Sequence, residues 1–93
     1  VIDHGNLAGP PNPWLPAQGG LRHLDEVVAW NRSVFDAVNV ALAANHVPLL
    51  MGGDHCLAIG SISAVARHCR RVGKHLRVVW LDAHTDVNTE AIS

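Results

Sequence analysis

The sequence predicts an α/β fold built around a βαβ unit, and three observations predict it. Apolar residues recur at three-and-four spacing in two stretches, short apolar runs bounded by turn residues flank the second stretch, and both runs lead directly into polar, titratable residues. Strand, helix and strand fall within about 35 residues, and such a crossover is right-handed in nearly all sheets, so the strands lie parallel with their carboxyl ends on one edge. Ligand sites of open α/β sheets form at that edge.

From Asp3 to Gly20 the chain is crowded with Gly, Pro and Asn, including Gly9-Pro10-Pro11-Asn12-Pro13 and Gly19-Gly20, and reads as an irregular loop. Leu24, Val27, Val28, Val34, Phe35, Val38 and Leu42 then lay one stripe along a helix that ends near Asn45. Val47 to Met51 suits a buried strand, with Pro48 at its start, where a missing N–H is tolerated, and Gly52-Gly53 at its end. Ser61 to Arg71 carries Ile62, Val65, Ala66 and Cys69 at helical spacing and closes at Gly73. Arg77 to Leu81 is short and apolar at every position after Arg77, the pattern of a strand covered on both faces.

A length of 93 residues bounds the chain at one small domain or a piece of a larger one. Only 16% of residues are charged, against roughly 25% in a typical soluble domain, so much of the chain is expected to be interior, and a piece of a larger body fits best. Two strands and two helices leave sheet edges and apolar faces uncovered, and the unit is expected not to be stable alone. A net charge of −1 supplies no global drive toward nucleic acid or anionic membrane. No apolar run approaches the roughly 20 residues that span a bilayer, which sets membrane insertion aside. Cys56 and Cys69 lie in no CxxC or dense disulfide framework, the usage of reduced thiols in a cytoplasmic protein.

Chemistry concentrates at the two strand ends. Asp82, His84 and Asp86 alternate with Ala83 and Thr85, and alternate side chains of an extended segment point to one side, so three donors converge. Carboxylate with imidazole suits divalent ions, Mn²⁺ foremost, with Zn²⁺, Ni²⁺, Co²⁺ or Fe²⁺ as alternatives. His55, delivered from the neighbouring strand end in Gly52-Gly53-Asp54-His55, supplies a fourth ligand, while Asp54 is placed to orient a ligand rather than to be one. The plain alternative is a solvated turn whose acids cap a following element. The pairing of two strand ends, not either motif alone, tips the balance toward metal.

These residues resemble the ureohydrolases, the arginase and agmatinase family. Gly52-Gly53-Asp54-His55 resembles the family's GGDH element and Asp82-Ala83-His84-Thr85-Asp86 its DAHxD element. Asp3-His4-Gly5-Asn6, Ala58-Ile59-Gly60-Ser61-Ile62-Ser63, Val79-Trp80-Leu81 and Asn88-Thr89 also look like arginase sequence, so the resemblance covers residues 1–93 as a fragment of a single arginase-like α/β domain.

The resemblance implies a three-layer αβα fold with a mainly parallel sheet, two Mn²⁺ ions and hydrolysis of a guanidino group to urea and an amine. It implies that His55, Asp82 and Asp86 hold one ion, that Asp82, bridging, and His84 hold the other, and that Asp86 is also catalytic. Asn88 and Ser93 are implied to contact the amino-acid end of arginine. The family's later Asp-x-Asp pair, a loop histidine and a guanidinium-facing glutamate lie beyond Ser93, so these residues are expected to hold about half an active site and to be inactive alone. A small-molecule guanidine as partner and a homotrimer or homohexamer are family expectations. Agmatinase, another guanidino hydrolase, and a non-catalytic homologue that keeps the fold are the alternatives.

Other features weigh less. Arg67, Arg70, Arg71, Lys74 and Arg77 form an acid-free basic stretch, but most lie at a helix C-terminus and no aromatics interleave with them, so a solvated face is preferred to nucleic-acid binding. Cys56 beside His55 is read as a packed small side chain rather than a nucleophile. Trp14 is placed as a loop closure, and Trp30 and Trp80 as packing residues.

Overall fold

In a computed structural model of the chain, residues 1–85 are described. Two helices, α1 (Leu24–Ala43) and α2 (Ala58–Arg71), pack on one another, and a 3₁₀ turn at His55–Leu57 leads into α2. Val34, Val38 and Ala41 are buried on α1 at spacings of four and three, and Ala64 answers them from α2. Leu7, Phe35, Leu42, Leu57 and Val65 complete this small core. The stripe is narrower than its sequence pattern suggests: Leu24 and Val28, in the first turns of α1, stay exposed because α2 covers only the later turns.

Both helices stop where their sequences indicate. In α1 the Asn45 N–H bonds Leu42 C=O at 3.0 Å and the His46 N–H bonds Ala41 C=O at 2.9 Å, with Asn45 left-handed at φ 59°. These are the two bonds of a Schellman end, and Asn tolerates that conformation through its short polar side chain. In α2 Gly73 takes φ 70° and the Lys74 N–H reaches Cys69 C=O at 2.8 Å. His68, Arg70 and Arg71 occupy the last turn, where cations favour the helix dipole. Arg67 is set apart from that cluster, its guanidinium 5.8 Å from the centroid of the Phe35 ring.

The N-terminal segment is irregular, as its composition predicts, and is tied to α1 rather than loose. The Trp30 indole N–H donates to Pro10 C=O at 2.9 Å and Ser33 Oγ to Ala8 C=O at 3.4 Å, while Leu7 enters the core. Trp30 is thus a packing residue. Trp14 closes over nothing, being 85% exposed, so its assignment as a loop closure is corrected.

The sheet expectation is where structure and sequence diverge. Among the described residues no strand is formed, and 47–51 and 77–81 are not joined by a backbone ladder. Their exposure nevertheless has the period of two. Val47, Leu49 and Met51 are 87–94% exposed while Pro48 and Leu50 turn toward the helices, and Val79 and Leu81 are outward while Val78 and Trp80 are half-covered. Leu50, Leu76 and Val78 share a groove with Val38, Ile62 and Val65, so the two segments flank one helix layer. An isolated strand pair is marginal without further strands, which is the physical reason a pleated pattern exists here without its hydrogen bonds.

The helices approach closely at Gly60, which is buried. A Cβ there would lie 2.4 Å from the Asn31 carbonyl oxygen, a backbone atom that cannot swing aside. Gly60→Ala is expected to push α2 off α1 and to cost roughly 1–3 kcal/mol, the range for overpacking. Denaturant unfolding of the full-length protein measures it, and an unchanged midpoint would contradict the close crossing.

Candidate functional site

Gly52-Gly53 carries the chain from 47–51 to Asp54, whose extended backbone and carboxylate begin the 3₁₀ turn. Asp54 Oδ1 accepts the Cys56 N–H at 2.9 Å, the geometry of an N-cap. That hydrogen bond holds the Asp54 carboxyl below its ordinary pKa, with the His55 charge adding to it and burial opposing it. Asp54 therefore shapes the turn on which His55 stands. The α2 helix begins at Ala58, three residues before the position that apolar spacing marks, because this turn winds directly into it.

Asp82 is the centre of the cluster. Its side chain is 18% exposed, against 58% for His55 and 85% for His84. Asp82 Oδ1 accepts the His84 backbone N–H at 2.8 Å and faces His84 Nδ1 at 3.0 Å. Oδ2 accepts the Trp80 indole N–H at 3.3 Å and faces His55 Nδ1 at 3.6 Å. One carboxylate thus gathers an imidazole from each of the two polar segments, 27 positions apart in the chain at His55 and Asp82.

The structure brings together His55, Asp82 and His84 from the sequence-predicted set, with Asp54 beneath His55. Asp86, Asn88 and Ser93 lie outside the described residues. The reading of Trp80 as a packing residue missed a polar role: its indole N–H holds Asp82 Oδ2 and its ring stands 5.7 Å from the His55 ring at 60°. The signal was present, since Trp80, Asp82 and His84 are alternate residues and share a face in an extended chain. Trp80 also closes one side of a 410 Å³ open pocket with His55, Cys56, Ala58, Ile59, Ile62 and Ser63, so a largely apolar wall stands beside the polar cluster.

A divalent ion suits these donors in kind, a low-exposure carboxylate with both oxygens directed toward imidazole nitrogens. Among the described residues no group of three His, Cys, Asp or Glu side chains could by itself hold a metal ion. His55 and His84 address different oxygens of Asp82. Cys56 is not part of it: burial, then the hydrogen bond and charge of Asp54, push its thiol above the ordinary value, which keeps it a weak nucleophile.

The cluster described is one carboxylate facing two imidazoles, where two loops meet beside a helix start. The chain matches the Arginase family over residues 1–93 and belongs to it. It is similar to arginase of Staphylococcus aureus strain COL, 41% identical over 95% of this chain and 29% of that one. Arginase of Brevibacillus brevis is 43% identical over 77% of this chain and 23% of its own, and that of Agrobacterium fabrum 34% over 96% and 28%. The chain spans less than a third of the length of these curated relatives. No solved structure matches it. Family membership implies an arginase-like αβα fold, to which the described residues contribute two helices, and it makes the family one of hydrolases. No helix among the described residues is long and apolar enough to cross a membrane.

Asp54→Ala removes the cap and is expected to cost about 1 kcal/mol. It also removes the charge and hydrogen bond that raise the Cys56 thiol, so Cys56 should be alkylated faster at neutral pH than in the unsubstituted protein. Timed alkylation with mass mapping measures this, and an unchanged rate would show that Asp54 does not govern that thiol.

Proposed function

We propose that the full-length protein is an arginase that hydrolyses the guanidino group of L-arginine to ornithine and urea with two manganese ions. The observation that carries this reading is the Asp82 carboxylate facing His55 Nδ1 at 3.6 Å and His84 Nδ1 at 3.0 Å. Similarity to proteins named arginase supports the substrate class. His55, Asp82 and Asp86 would hold one ion, and Asp82 and His84 the other. Co²⁺, Ni²⁺, Zn²⁺ and Fe²⁺ are chemically compatible with the same donors.

The guanidinium of arginine is resonance-stabilised and poorly electrophilic, so its hydrolysis at neutral pH requires a strong nucleophile held in line. Two manganese ions, when bound, supply such a nucleophile from water. Asp82 would serve both ions with a carboxylate held in place, its Oδ2 by the Trp80 indole N–H and its Oδ1 by the His84 backbone N–H. Asp86 takes the catalytic role of hydrogen-bonding the nucleophile and steadying the tetrahedral arrangement that follows. Asn88 and Ser93 read the amino-acid end of the substrate. The residues of this chain form part of one α/β domain, the enzyme acts in the cytoplasm as a homo-oligomer, trimer or hexamer, and neither nucleic acid nor membrane is a partner.

The test is urea release from arginine by the full-length protein, Mn²⁺-loaded against chelated, with His84→Ala as control. Urea formation should require the metal and fall by more than roughly 100-fold in the variant, beyond the loss typical of an outer-shell change. Turnover of agmatine without arginine would overturn the choice of substrate. Metal binding without urea from any guanidine would overturn the enzymatic reading.

A further inference from the structure

The N-terminal end of α2 is continuous with the 3₁₀ turn that Asp54 caps. Leu57 stands at the N-cap position with helical dihedrals and no side-chain hydrogen bond, although the first turn of any helix leaves backbone N–H groups without intrahelical partners. The Gly60 N–H in this first turn is engaged from the other helix, donating to Asn31 Oδ1 at 2.8 Å. The Asn31 amide is itself fixed, since Nδ2 donates to Val27 C=O at 3.0 Å one turn earlier on α1. Because Gly60 is buried against the Asn31 backbone, the contact has no slack along the helix-to-helix direction.

We propose that Asn31 is a positioning residue for His55, acting as a cap supplied to α2 across the helix pair; the inference rests on the arginase reading, in which His55 is a metal ligand. His55 lies five positions before Gly60, and the intervening residues are wound continuously as the 3₁₀ turn and the first turn of α2. A displacement of the helix start is therefore carried to the imidazole with little to absorb it. α1 also packs against the 3₁₀ turn itself, whose Leu57 joins the core between the helices. Asn is the side chain that performs the task, because it donates into its own helix while presenting an oxygen to the neighbour.

The experiment is Mn²⁺ titration of the full-length protein, free ion followed by electron paramagnetic resonance, for the unsubstituted protein, Asn31→Ala and Asn31→Asp, with folding checked by circular dichroism. Asn31→Ala should lose Mn²⁺ affinity by roughly tenfold or more, the scale for removing a group that orients a ligand. Asn31→Asp, which keeps an acceptor for the Gly60 N–H and suits the positive end of a helix, should recover most of that loss. Folded Asn31→Ala with undiminished affinity would overturn the proposal and leave Asn31 a structural cap only. Should Asn31→Ala not fold, Asn31→Gln moves the same amide by one methylene, and undiminished affinity there would overturn it equally. No Mn²⁺ binding by the unsubstituted protein would overturn the metal reading and this role together, an outcome distinct from the others.

Discussion

The approach of α2 to α1 at Gly60 is the constraint on which the rest of the described structure depends. Two helices offering only Val34, Val38, Ala41 and Ala64 as buried apolar residues have little core to hold them in one register. Close backbone approach compensates by removing freedom: Gly60 admits the Asn31 carbonyl, and the Asn31 side chain closes the remaining polar group. The crossing holds the first turn of α2, into which the Asp54-capped 3₁₀ turn carrying His55 leads, against α1.

From that start the site is assembled by short-range hydrogen bonds, not by deep burial. Asp54 folds its turn through the Cys56 N–H, and Asp82 folds the second loop through the His84 N–H. Each acid thus accepts a backbone N–H two residues ahead, a local arrangement that Asp makes readily. The difference lies in what each acid has left over. Asp54 is occupied with the turn, whereas Asp82 keeps its second oxygen toward Trp80 and His55.

Much of this was legible in the sequence, and the parts that were not have physical reasons. The helix ends at Asn45 and Gly73 follow from residues that tolerate a left-handed backbone, a local property. The true start of α2 was not legible, because the 3₁₀ turn that leads into it has no apolar period of its own. The strand segments were legible as pleated, and the alternation from Val47 to Met51 survives in their exposure. Their ladder depends on neighbouring strands, which no local pattern in 47–51 or 77–81 can supply. The nearness of His55, Asp82 and His84 was expected from two strand ends meeting on one edge, and they do meet, although no ladder joins those segments among the described residues. Trp80 was read as packing because it stands in an apolar run, although its alternation with Asp82 and His84 puts it on their face.

The central claim is that Asp82 is the shared carboxylate between two ion positions, one served by His55 and the other by His84. Anomalous diffraction at the manganese edge from crystals of the full-length, Mn²⁺-loaded protein tests it most directly. The account predicts two peaks flanking the Asp82 carboxylate, one within coordination distance of a His55 ring nitrogen and the other of a His84 ring nitrogen. A single peak remote from Asp82, or two peaks that share some other carboxylate, would contradict it.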